Sequence, residues 1–180
     1  MELVACPTFV AGVSTADFQW FAARQAQPNW CWAACIEMVL KCHGVCISQA
    51  QIVDRLFGAL VDAPATLPQM LAMLSGLALH VSGRAAVLEA TPHVYADSDI
   101  VGDLAAGQPL ILCLSQPGLN VGHSYVLTAV RFALNPDGAA RLISGVLHDP
   151  SPFSPDAVEM SWSAIAERLL ALVRARVTVI

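Results

Sequence analysis

The chain has 180 residues, 56% of them hydrophobic and 13% charged, and a net charge of −5. That is enough chain for one domain with a substantial core, and too apolar a composition for disorder. The acidic balance, with no basic run, argues against general nucleic-acid binding, and no apolar stretch reaches the roughly 18 residues of a membrane span.

The N-terminus, Met-Glu-Leu-Val-Ala-Cys-Pro, has no basic region ahead of an apolar one, so no secretory signal is read there. The expectation is a cytoplasmic protein, or one exported without a classical signal peptide. One lysine, Lys41, stands against eight arginines, an imbalance read as coding bias. The six cysteines are Cys6, Cys31, Cys35, Cys42, Cys46 and Cys113. An even count invites disulfides, but a signal-less chain of this composition predicts reduced thiols.

Taken in order, residues 1–24 hold a short aromatic patch, Phe18-Gln-Trp20-Phe21, suited to a strand or a packing arm. A polar loop containing Pro28 then runs into Cys31, which has a tryptophan on each side. A helix is predicted from about Trp30 to His43, with Glu37 and Lys41 as its narrow wet stripe and Gly44 as its stop. Ser48-Gln-Ala-Gln51 is a capping box that opens a second helix to about Phe57. Thr66-Leu-Pro-Gln69 repeats the signal for a third, ending at Gly76. The period then changes. Leu77–Ser82 suits a strand, 83–96 has no clear pattern, and Asp97–Gly107 suits a short helix with a glycine cap. Pro109–Ser115 and Gly122–Phe132 read as buried strands. Asn135-Pro-Asp-Gly138 is a hairpin turn, and Ala140–Asp149 is the returning strand. A Ser/Pro loop at 151–157, a closing helix from Trp162 to about Leu172 and a last strand from Arg174 to Ile180 complete the chain. Helices first and antiparallel strands second predict one α+β domain over 1–180. Its helical lobe covers about 25–76 and its β lobe about 77–180, with a site between them.

Cys31 is the candidate nucleophile. The free N–H groups and positive dipole end of a first helical turn favour a thiolate placed there. Such a thiolate needs a histidine, and the histidine needs an orienting group. His43 lies roughly 18 Å along the same helix, at about 1.5 Å per residue, and is out of reach. His80 and His93 sit in weakly patterned sequence. His123 follows Gly122 at the mouth of a strand that enters the core, a position from which it can face a cleft. Asp149 closes the returning strand, where it can accept from the His123 ring and fix its tautomer. His148 points to the other face of that strand and replaces Asp149 only if the register slips by one.

Gln25 lies six residues before Cys31, and Gln-x5-Cys-Trp at a helix start resembles the papain-like cysteine proteases. The form Asn29-Trp-Cys-Trp-Ala-Ala34, with Gly122-His-Ser-Tyr-Val-Leu-Thr-Ala-Val130 and Asp149-Pro150 after it, is most similar to their compact bacterial branch. That branch includes secreted effector proteases of plant pathogens and relatives of the bacteriocin-leader peptidases. The resemblance implies the papain-like fold and a Cys31–His123–Asp149 triad. It also implies an oxyanion held by the Gln25 amide and the Cys31 N–H, protein or peptide substrates, and no cofactor. Gln27 is a competing donor at a spacing the family does not use. Two other functions stay open on the residues. The same site suits deamidation, transamidation or cleavage of a ubiquitin-like tail. Alternatively, Cys31, Cys35, Cys42 and Cys46 form two Cys-x3-Cys pairs of the kind that hold zinc in an interaction module, although one helical turn is a poor knuckle.

Overall fold

The computed structural model describes residues 7–75, 77–81, 84–92, 96–118 and 122–180. Cys6, Gly76, Ser82 and His93, which enter the sequence reading, lie outside the described residues.

One antiparallel sheet carries the fold. Its strands are β1 (Thr8–Gly12), β2 (Leu77–Val81), β3 (Arg84–Pro92), β4 (Leu110–Ser115), β5 (Gly122–Leu134), β6 (Ala140–His148), β7 (Ala157–Ser161) and β8 (Leu169–Val179). They lie in the order β2-β3-β8-β4-β5-β6-β7. β4 covers one edge of β5 from Gly122 to Leu127, and β1 takes over from Ala129 to Ala133. The helices are α1 (Thr15–Phe18), α2 (Cys31–Cys42), α3 (Gln49–Phe57), α4 (Leu67–Leu74), α5 (Asp97–Ala105) and α6 (Trp162–Arg168). Hydrophobic burial joins α2, α3 and α4 to one part of the sheet through Trp32, Ile36, Met38, Leu40, Ile52, Met70 and Leu88. A second cluster packs α5 and α6 on the sheet through Ile100, Leu104, Leu127 and Ile165.

The α2, α3 and α4 boundaries follow local chemistry. Ser48 and Thr66 each cap their helix, and Gln51 and Gln69 return the bond to the cap residue. α2 has no side-chain cap on Trp30. It is held by burial, with only Cys31, Glu37, Lys41 and Cys42 not fully buried and a 2.8 Å Glu37–Lys41 pair on its outer side.

Four sequence expectations change. The aromatic patch is neither a strand nor an arm: Phe18 ends α1 and is fully buried, while Trp20 lies in the turn beyond and is exposed. Two strands, β1 and β7, lie almost wholly in segments to which the sequence assigned no element. The unpatterned stretch contains β3, whose Ala-rich sequence lacks alternation and which lies between β2 and β8. The closing helix stops at Arg168, four residues early, because Leu169, Ala171, Leu172 and Val173 pair with β4 instead.

Candidate active site

The site lies where the β5–β6 hairpin opens against the start of α2. β6 pairs with β5 only from Val126 onward. The β5 edge over Gly122–Tyr125 is therefore left to other partners, and Cys31 is one of them. Two tryptophans hold the helix start: Trp30 Nε1 donates to the Val61 carbonyl at 2.8 Å, and Trp32 Nε1 to the Ala63 carbonyl at 3.1 Å. Asn29 N–H adds a 2.8 Å bond to Asp62 Oδ1. The pair flanking Cys31 thus staples the 61–63 loop to the first turn of α2.

His123 and Asp149 meet, with His123 Nε2 2.7 Å from Asp149 Oδ1. Burial pushes the Asp149 carboxyl up. Bonds from His123, the Ser151 N–H and Ser154 outweigh it and hold the carboxyl below its ordinary range. An ionised carboxylate only accepts, so His123 carries its proton on Nε2 and turns Nδ1 to the thiol. Burial alone would lower the His123 pKa, but bonds to Asp149 and Cys31 and the charges of both raise it to about 9. The Cys31 thiol shows the reverse balance. Burial raises it, and bonds from His123 and from the Ser124 backbone and hydroxyl, with the His123 charge, bring it below its ordinary value. The two shifts have opposite directions and a common cause, the interaction of the two side chains with each other. Tyr125 packs edge-on against the His123 ring at 4.7 Å between centroids.

The Gln25 amide is already engaged within its own loop. Its Nε2 donates to the Gln27 carbonyl at 3.1 Å and the Pro28 carbonyl at 2.7 Å, and its Oε1 is buried without a partner among the described residues. The Gln27 side chain is exposed. His43 caps the far end of α2. His148 is 2% exposed, lies 4.3 Å from the Phe18 ring, and has no hydrogen-bond partner on either ring nitrogen among the described residues. β2 places His80 opposite Ala85 of β3.

Three residues that the sequence did not single out complete the surroundings. Arg24 donates to the carbonyls of Asp149 (2.9 Å) and Ser151 (2.6 Å) and pairs with Asp156. Gln49, buried at the start of α3, accepts from the Ala26 N–H and donates to the Arg24 carbonyl, both at 2.9 Å, and to Glu37 at 2.8 Å. The Gln25 N–H reaches the Pro150 carbonyl at 2.8 Å. The third is Ser124, one residue beyond His123. Arg24 and the Gln25 N–H therefore tie the loop before Cys31 to the turn that carries Asp149, and Gln49 ties that loop to α2 and α3. No sequence pattern reveals this, because each bond spans twelve residues or more.

Beside Cys31 opens a cavity of about 360 Å³, lined by Trp32, Pro64, Met70, Cys113, Gly122 and Leu170, among others. A β-bulge supplies Leu170: Cys113 pairs with Ala171 and Leu114 with Leu169, so Leu170 has no partner across the ladder. Among the described residues, no group of three or more His, Cys, Asp or Glu side chains is placed to hold a metal ion. The five described cysteines are free thiols. Cys35 is fully buried within α2, and Cys46 is exposed.

The chain resembles known proteins in both sequence and fold. The structure is similar to the peptidase domain of Streptococcus ComA, a bi-functional ABC transporter involved in a quorum-sensing pathway. The identity is 18% and the TM-score 0.58, over 87% of this chain and 96% of that one. The Streptococcus mutans ComA peptidase domain matches at 14% identity and TM-score 0.49, over 87% and 98% of the two chains. A chain from a structural study of the mite allergens Blo t 1 and Der p 1 matches at 9% and 0.48, over 86% and 66%. No curated protein sequence matches the chain. The profile of the papain-like cysteine protease AvrRpt2 family matches residues 14–164, most of the chain and all of the site. The protein therefore belongs to that family of papain-like cysteine proteases.

Proposed function

We propose that this peptidase hydrolyses peptide bonds through Cys31, His123 and Asp149. The observation that carries the reading is the 2.7 Å bond between His123 and Asp149, beside a Cys31 thiol that His123 draws below its ordinary value. The Cys31 thiolate attacks the substrate carbonyl carbon. His123 protonates the leaving amine, and a thioester remains on Cys31. His123 then takes a proton from water, which attacks the thioester and releases the acid. Asp149 keeps the ring oriented and stabilises its charged form.

The oxyanion is received at the first turn of α2. The Cys31 N–H stands where a helix offers no carbonyl partner. Gln25 supplies the second donor by exchanging its 3.1 Å bond to the Gln27 carbonyl for the oxyanion, since a charge-assisted bond is the stronger of the two. Gln25→Ala should then lower kcat about 10²-fold with a smaller change in KM, as loss of one oxyanion donor does. An unchanged kcat removes Gln25 from the mechanism. The apolar cavity beside Cys31 suits a hydrophobic side chain of the substrate.

Cys31→Ala tests the whole reading. It should abolish both hydrolysis and covalent labelling by a thiol-directed peptide electrophile, and labelling that persists unchanged defeats the assignment. Mass spectrometry of substrate proteins treated with the wild-type enzyme distinguishes chain cleavage from deamidation or transamidation at the same cysteine.

A further inference from the structure

Ser124 lies between two sulfurs. It follows His123 on β5, is 5% exposed, and stands in register opposite Cys113 on β4. Its Oγ is 3.6 Å from Cys113 Sγ. On its other side it faces Cys31, where its backbone N–H and its hydroxyl both act to bring the thiol below its ordinary value. All three residues line the same cavity.

Counting protons gives this arrangement a direction. A serine hydroxyl has one proton to donate and lone pairs to accept with, while a thiolate only accepts. Once Cys31 is ionised, the Ser124 proton turns to it. The Cys113 thiol, which burial keeps protonated, then donates to Ser124 Oγ. We propose that Ser124 is a positioning residue for the Cys31 nucleophile, oriented by Cys113 in a chain that runs Cys113 S–H to Ser124 O–H to Cys31 S⁻. Each bond polarises the next, and the chain favours the thiolate and fixes its direction. The inference rests on Cys31 being the nucleophile. A serine whose only role is to satisfy the sheet would bond Cys113 and leave Cys31 indifferent to its loss.

The test is the pH dependence of iodoacetamide alkylation at Cys31, followed by mass spectrometry of the peptide that contains it. It is run on wild type, Ser124→Ala, Cys113→Ala and Cys113→Ser. Alkylation needs no turnover, so a protein that fails to cleave peptides can still support or defeat this inference. Ser124→Ala should raise the alkylation midpoint by about one pH unit, the scale of one bond to a charged group. Cys113→Ala should raise it by less. Cys113→Ser should keep the wild-type midpoint, because its hydroxyl donates where the thiol did. A wild-type midpoint in folded Ser124→Ala overturns the proposal. Should that variant fail to fold, equal midpoints in Cys113→Ala and wild type overturn it instead.

Discussion

The bond to Asp149 helps raise the His123 pKa, and in the proposed mechanism it sets the high-pH end of activity. The working pair needs Cys31 deprotonated and His123 protonated. The acid limb of kcat/KM then follows the thiol, below its ordinary value, and the alkaline limb follows the imidazolium near about 9. Asp149→Asn keeps the shape and removes the charge, so the alkaline limb should fall by about one unit or more. A pH–rate profile checks this, and an alkaline limb that stays in place would show that Asp149 does not stabilise the imidazolium. That Cys31, His123 and Asp149 would meet was readable in the sequence, because each carries a local mark. Cys31 opens an apolar helix, His123 follows a glycine at a strand mouth, and Asp149 precedes a proline. Arg24, Gln49 and Ser124 carry no such mark. Arg24 and Gln49 act through contacts that exist only once the chain has folded, and Ser124 resembles any polar residue near a strand end. The engaged amide of Gln25 was equally hidden, since spacing does not reveal which carbonyls a loop will offer.

Among the elements, the helices were more legible than the strands, and the reason is the range of the interactions that set them. α3 and α4 are bounded by capping boxes within four residues of chain. The start of β8 is decided by pairing with β4, across more than fifty residues. The run Leu169–Leu172 suits a helix or a strand by composition, and periodicity over so short a stretch does not choose between them. Gln49 shows how one element serves the site. It opens α3 and bonds both the loop before Cys31 and Glu37 of α2. Gln49→Leu leaves the Ala26 N–H, the Arg24 carbonyl and one Glu37 oxygen without that partner, a cost of about 1–3 kcal/mol per stranded buried group. Thermal unfolding should show the loss. Because the same loop carries Gln25, kcat should fall more than KM rises. A destabilised variant with full kcat would separate the loop anchor from the oxyanion site.

Across the whole molecule, two histidines at neighbouring strand ends pull stability in opposite directions with pH. The folded value of His123, raised to about 9, lies above its unfolded value. Its contribution is complete below about 6.5 and is lost as pH rises through about 9. His148 is the reverse. It is buried against Phe18, and burial brings its pKa down to about 4. The Asp156 charge opposes that shift, and the Arg24 charge adds to it. Between about 4 and 6.5 the unfolded chain binds the proton and the folded chain does not. Stability is therefore lost as pH falls through that window, by up to roughly 3 kcal/mol for a shift of this size. His148→Leu keeps an apolar contact with Phe18 and removes the titration. Its thermal midpoint should depend less on pH between 4 and 6.5 than that of the wild type, while above 7 the two should run parallel. Calorimetry or circular dichroism across pH 4–8 measures both curves. Equal slopes below 6.5 would mean that the folded protein accepts a proton on His148, and that another group governs acid unfolding.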